Sequence, residues 1–398
     1  VADKSSNSTV KRRHVFYVSG FDPRGPAHYH RLYKDEAAKQ ALINGLAIEI
    51  GNREKVSETE SLWRLKSDQA EAAYSFFRYD DLMRERWART NWTVFLEIVR
   101  YTALMLSRGV FYKVLFTSWP TFISMVYPLS LVALAVLIAL FGASLAWWFN
   151  GPLAAAITGI VIFAILVTLR SWLEERINAF WIARILSFIA DQGANRVPAL
   201  DTRLDHWASR IAEEIKRQKA DEILIVGHSV GTQLAVSVAA RIIRLLGGAL
   251  PSEPQLSLLT LGHTIPLQAL QPSAQQFRDE LALVSRTPGL DWIDVSAAID
   301  SACFPLCDPV EASGLKQTNP AKPSPKIVSA RFPKLFTPET YKTLRRQFKR
   351  AHFQYLLSAE LKGDYDYFLI TAGDKTLGER FAHLDSVKGF DRFKLHKT

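Results

Sequence analysis

Two uncharged apolar runs near mid-chain limit what this chain can fold into more than any other feature. Ser130–Phe149 (SLVALAVLIALFGASLAWWF) holds twenty residues without a charge, and Leu153–Leu169 (LAAAITGIVIFAILVTL) holds seventeen. A helix of about 20 apolar residues crosses the hydrocarbon core of a bilayer, so both runs approach spanning length, the second barely. Asn150-Gly151-Pro152 between them is a turn signal. Trp147, Trp148 and Trp172 sit at segment ends, where indole rings favour the membrane–water interface. The competing reading is a buried helical pair in a large soluble core, but core helices rarely run so long without a polar face. The expectation is an inserted two-helix transmembrane hairpin.

Orientation follows from the flanks. Arg108 and Lys113 precede the first span, and Arg170, Arg176 and Arg184 follow the second, whereas the tip carries no Lys or Arg. The positive-inside rule then places both flanking parts in the cytoplasm. Because a hairpin returns the chain to its starting side, residues before and after it can share one sheet. Lys and Arg outnumber Asp and Glu by 49 to 39, a net +10 that suits an anionic membrane surface, and no nucleic-acid motif accompanies it. Cys303 and Cys307 make no disulfide framework, and without further Cys or His ligands nearby they do not read as a zinc site. Reduced thiols in a cytosolic compartment fit them best. Residues 1–13 are polar, lack the apolar centre of a signal peptide and read as a disordered basic tail. Trp92–Phe116 and Ile177–Ile189 look amphipathic, and read equally well as headgroup-layer helices or as packing helices of the soluble part.

Chemistry enters at Ile223–Gly231, ILIVGHSVG. An apolar β-forming run feeds into G-H-S-V-G, and a helical pattern follows at once. Strand, sharp turn and helix in that order hold a serine hydroxyl up at the end of a sheet, so Ser229 reads as a nucleophile and the Val230 amide as a donor to the oxyanion. Gly227 and Gly231 suit the close packing of such a turn. Elsewhere His14–Ser19, Ala73–Tyr79, Gln255–Leu261, Asp291–Val295 and Tyr367–Thr371 read as strands, and Ala27–Leu46 and Leu204–Lys219 as helices. Alternation of the two indicates an α/β fold with a mainly parallel sheet. The parts divide as residues 14–120, an inserted hairpin with its flanks at 121–190, and residues 191–398.

A serine needs a base, and in this arrangement the chain order is Ser, acid, His. His352 and His383 are the candidates by that order. His263 comes too early, His396 lies in the tail, and His228, inside the turn, reads as a packing residue. Asp300, Asp291, Asp294 and Asp308 compete as the acid, and Asp374 comes late enough to serve only His383. Asp80-Asp81 reads as helix capping rather than a metal site, since no His or further carboxylate lies at short spacing. No cofactor is expected.

VSGFDPRG, FFRYDDLMRERW, GHSVG, the W-x-D…D…DPV run at Trp292–Val310 and HFQYLL at His352–Leu357 together resemble an α/β-hydrolase, in a bacterial membrane-associated branch. The resemblance implies His352 as base, Asp300 as acid, and Phe21 as the second oxyanion donor, from the loop after the first strand. Arg24 in the same loop is a candidate for steering an anionic group of the substrate, or a surface Arg tying down a Pro/Gly loop. One departure stands out: His14–Ser19 comes first, so the two usual leading strands are missing, and the sheet is either trimmed or receives a strand from elsewhere. The function expected is a serine hydrolase of acyl or lipid esters, anchored by two helices in a bacterial inner membrane with a cytoplasmic catalytic domain. The alternative is a non-catalytic scaffold of the same fold that binds lipids or partner proteins. Oligomeric state is left open.

Overall fold

A computed structural model describes residues 9–87, 90–168, 179–316, 324–387 and 391–395. Strand β1 (Arg12–Val18) shows how its sheet is built. Val15 and Tyr17 enter one apolar cluster and Phe16 and Val18 the other. Successive side chains of a strand point to opposite faces, so the apolar stretch Val15–Val18 is covered on both. Its neighbour β6 (Glu222–His228) repeats this, with Ile223 and Ile225 on one side and Leu224 and Val226 on the other.

The remaining strands are β2 (Glu49–Ile50), β3 (Glu54–Ser57), β4 (Glu60–Lys66), β5 (Glu71–Phe77), β7 (Gln255–Leu261), β8 (Asp291–Ser296) and β9 (Lys326–Ser329). Their order is β2-β4-β5-β1-β6-β7-β8-β9, with β3 also on β4. From β5 to β9 every neighbouring pair is parallel, while β2, β3 and β5 each pair antiparallel with β4. The fold is therefore α/β with a mostly parallel mixed sheet. Helices Asn91–Ser107, Ala179–Gln192, Pro198–Arg217 and Gly231–Leu245 cover one face, and Gly25–Asn44 with the C-terminal segments covers the other.

Several elements differ from expectation: Arg12 and Arg13, read as part of a disordered tail, open β1, and β9 was not anticipated. The antiparallel strands β2–β4 were not anticipated, and they lie at the edge of the sheet beside β5. Tyr367–Thr371, expected as a strand, is a helix, Tyr367–Ala372. The Asp366 carboxylate caps it, accepting from the amides of Phe368 (2.9 Å) and Leu369 (3.0 Å). A short apolar run has no periodicity of its own to separate strand from buried helix, and here the cap decides. Of the two amphipathic segments, Ala179–Gln192 is buried from Trp181 to its end and so packs inside the protein. Asn91–Ser107 buries Val94, Ile98, Tyr101 and Met105 and exposes Trp92, Leu96, Val99 and Leu106.

The long apolar element runs from Trp119 to Thr168. Trp119–Leu166 is the one described helix long and apolar enough to cross a membrane. Its root packs on the soluble core through Phe122, Met125, Val126, Tyr127, Leu129 and Val132. Beyond that it stands clear, with Leu140 61%, Trp148 84% and Leu153 75% exposed. Gly151 breaks its helical backbone at φ 81°, ψ −176°, immediately before Pro152. A Cβ placed on Gly142 would lie 2.2 Å from Cδ1 of Ile162, so segments on either side of the break are in contact. Residues 1–8, Leu169, Arg170, Trp172, Arg176 and His396 lie outside the described residues.

Candidate active site

The parallel strands end on a common edge, and the loops that leave β1, β6, β7 and β8 there carry the candidate residues. In open α/β sheets ligands bind outside these carboxyl ends, where the chain departs to opposite sides. Here that point lies between β1, whose next parallel partner in the chain is β5, and β6 on its other flank.

Ser229 follows β6 directly and has φ +57°. That left-handed conformation costs a non-glycine residue roughly 1–2 kcal/mol, and it persists because the surroundings hold it. The Ser229 amide donates to the Leu261 carbonyl (2.9 Å), and the Ser229 carbonyl accepts from the Thr232 hydroxyl (2.6 Å). The glycines let backbones close in. A Cβ on Gly231 would stand 2.2 Å from the Val18 carbonyl oxygen, and one on Gly20 would stand 2.9 Å from Cβ of Ser229. The loop after β1 thus lies against the serine.

Asp300 lies in the loop after β8 and is fully buried. Its carboxylate oxygens are 2.9 and 3.0 Å from Nδ1 of His352. The Tyr355 hydroxyl (2.9 Å) and the Ala302 amide (3.1 Å) also donate to it. Burial pushes its pKa up, but the His352 imidazole and the donors around the carboxylate outweigh this and hold it below the usual range. With Nδ1 facing a carboxylate, Nδ1 carries the proton and Nε2 offers its lone pair. Ser229 and His352 line one cavity of about 30 Å³, closed over by Trp181, Ile182 and Phe348 and by Thr121, Ser124 and Met125 from the root of the apolar element. Among the described residues no hydrogen bond joins the serine hydroxyl to the imidazole. Such contacts often tighten only once substrate is bound.

Phe21 and Val230 are buried, and among the described residues the backbone N–H of neither meets an acceptor. Buried amides are seldom left so, and two of them flanking a raised serine are suited to hold an oxyanion. Arg24 is placed differently. Its guanidinium forks onto Asp22, with Nε 2.8 Å from both carboxylate oxygens, and lies over the Phe353 ring. It does not line the cavity.

The other candidates sit elsewhere. His383 is exposed and lies 3.4 Å from Asp364. His263 is buried under the site, donates to the Cys307 carbonyl, and is pushed down to about 4 by burial. Asp294 is buried against the Thr260 hydroxyl, and desolvation raises its carboxyl well above the ordinary value. Asp308 caps the helix Pro309–Ala312. Asp80 pairs with Arg78 and Arg84, and Asp81 with Arg203. No group of three or more His, Cys, Asp or Glu side chains among the described residues is arranged to hold a metal.

Three contributions escaped the sequence reading. Tyr355, three residues after His352, supports Asp300 and is itself fixed by the Ala297 amide (2.9 Å). The His228 imidazole donates to the His352 carbonyl (2.9 Å), which positions the backbone of the base, and burial pushes its pKa down to about 3. The apolar element reaches the acid loop: Ser124 donates to the Ser301 carbonyl (2.8 Å) and Thr121 to that of Cys303 (2.5 Å). Compared with known proteins, the chain matches no family model, no curated protein and no solved structure, so function has to be argued from the site itself.

Proposed function

We propose that the protein is a membrane-anchored serine hydrolase of the α/β-hydrolase type that cleaves acyl or lipid esters. Ser229 Oγ attacks the ester carbonyl while His352 Nε2 takes its proton. The amides of Phe21 and Val230 hold the developing oxyanion. His352 then returns the proton to the leaving alcohol, and a water hydrolyses the acyl-serine by the same route. Asp300 keeps the imidazole in the tautomer that presents a lone pair to Ser229 and stabilises the imidazolium as it forms. The observation that carries this reading is the buried Asp300–His352 pair, whose histidine lines one cavity with a serine held at positive φ.

The strand order supports the fold assignment. An antiparallel strand, β4, flanks the parallel run, and it arises from the segment between β1 and β5 rather than from the start of the sheet. It stands where a leading strand of the family would.

For the anchor we propose a hairpin of two spans in a bacterial inner membrane, with both soluble parts in the cytoplasm, and the length of the apolar element and its break are what support the two spans. A straight helix of 48 residues would reach roughly 70 Å at about 1.5 Å per residue, more than twice the hydrocarbon thickness of about 30 Å. The break at Gly151 divides it about two thirds of the way along, and Gly142 and Ile162 meet across it.

A second reading, a non-catalytic scaffold that holds lipids or partner proteins, draws on the size of the serine cavity. About 30 Å³ holds no more than about one water molecule. Labelling of membranes with a fluorophosphonate probe separates the two. Wild type is expected to label, and Ser229→Ala and His352→Ala to lose the signal. Equal labelling of wild type and Ser229→Ala removes the nucleophile, and absence of labelling in well-folded wild type favours the scaffold.

A further inference from the structure

Next to the serine cavity lies a larger groove of about 480 Å³, within the range usual for small-molecule sites. Resting on the hydrolase reading above, we propose that this groove binds the anionic head group of a membrane lipid ester and so selects the substrate of Ser229.

Three observations converge. The first is charge. Arg346, Lys349 and Arg350 line the groove, and none of its lining residues is Asp or Glu. Neither Arg346 nor Arg350 forms an ion pair among the described residues. Arginine forks match phosphate and carboxylate oxygens two at a time, and such charge-assisted bonds are the strong ones. The second is continuity with the reacting serine. Ser124, Ile182 and Phe348 line both the groove and the serine cavity, so one wall of side chains separates head-group site from nucleophile. Lys349 lies over the Trp181 ring, which closes the cavity from the same side. The third is the membrane. Ile123 and Tyr127 complete the groove and belong to the root of the apolar element, just before it leaves the soluble core. A lipid whose chains lie along that element brings its head group to the arginines and its ester towards Phe348. The occupant is therefore an anionic amphiphile from the bilayer, and a soluble anion would lack the apolar part that the groove and the element receive.

The test uses the full chain on neutral phosphatidylcholine vesicles that carry, at trace level, a fluorogenic lipid with either a phosphatidic acid or an uncharged diacylglycerol head and identical acyl chains. Wild type is expected to prefer the anionic ester by roughly tenfold in kcat/KM, the effect of one charge-assisted hydrogen bond. Arg346→Ala combined with Arg350→Ala is expected to erase most of that ratio. No preference in wild type, or an equal fall for both esters in the double variant, overturns the proposal. Fluorophosphonate labelling in parallel reports on Ser229 alone. Should wild type neither label nor cleave, the hydrolase reading fails and the groove is judged by binding instead. Calorimetric titration of Ser229→Ala with a short-chain lysolipid bearing a phosphate monoester then serves, with inorganic phosphate alongside. Lysolipid binding that weakens roughly tenfold in the added double variant supports the groove. No binding, or equal affinity for lysolipid and inorganic phosphate, overturns it.

Discussion

Asp300→Asn isolates what the buried carboxylate does, because asparagine keeps the shape and can still accept from Tyr355 or Ala302. Two effects follow from the geometry. When Ser229 gives up its proton, an imidazolium forms with its Nδ1 2.9 Å from the carboxylate. Taking charge centres about 4 Å apart and an effective dielectric constant of about 20, the attraction is worth about 4 kcal/mol. Its loss slows the reaction roughly a thousandfold. The asparagine amide also donates to Nδ1, which drives the imidazole proton to Nε2, the atom that must accept from Ser229. The assay is the second-order rate of labelling by a fluorophosphonate, with thermal melting to verify the fold. A melting loss equivalent to about 1 kcal/mol is expected from the donor left with a poorer partner. A labelling rate within about threefold of wild type in a folded variant would refute the reasoning, since changes this small fall well below the electrostatic effect.

Two more outcomes are expected. Ser229→Gly removes a non-glycine residue from φ +57° and should raise the melting temperature, by the equivalent of about 1 kcal/mol, while abolishing labelling; a lowered melting temperature would show that the turn holds no strain. Asn150→Cys, at the tip of the apolar element, should react with a membrane-impermeant maleimide added to intact cells. The native Cys303 and Cys307 are buried and give little background, so reaction only after the cells are opened would reject the hairpin orientation.

The central part of the fold was legible because its signals are local. A strand, a glycine-flanked serine and a helix occupy adjacent residues, and Ser229 sits where that order places it. His352 and Asp300 lie 52 residues apart, yet chain order and sequence resemblance sufficed to pair them. Other features depended on partners far away in the chain. The groove joins Ile123 and Tyr127 to Arg346 and Arg350 and cannot be read from either segment alone, though the basic run RRQFKR at 345–350 was a visible sign. Strand β4, ESLWRLK, mixes charges into a strand pattern and so lost the apolar signature used to find the others. For Arg24 two readings stood open, and its pairing with Asp22 of the same loop matches the one in which it ties that loop down.

The bonds from Thr121 and Ser124 to the carbonyls of Cys303 and Ser301 carry a practical consequence for anyone seeking a water-soluble version of this protein. Cutting at Trp119, where the greasy stretch begins, would free the loop that carries Asp300 from two of its moorings and uncover the seat of Met125. A trimmed chain should keep everything through Val132, the last residue of the root that packs on the core, and begin its deletion beyond it.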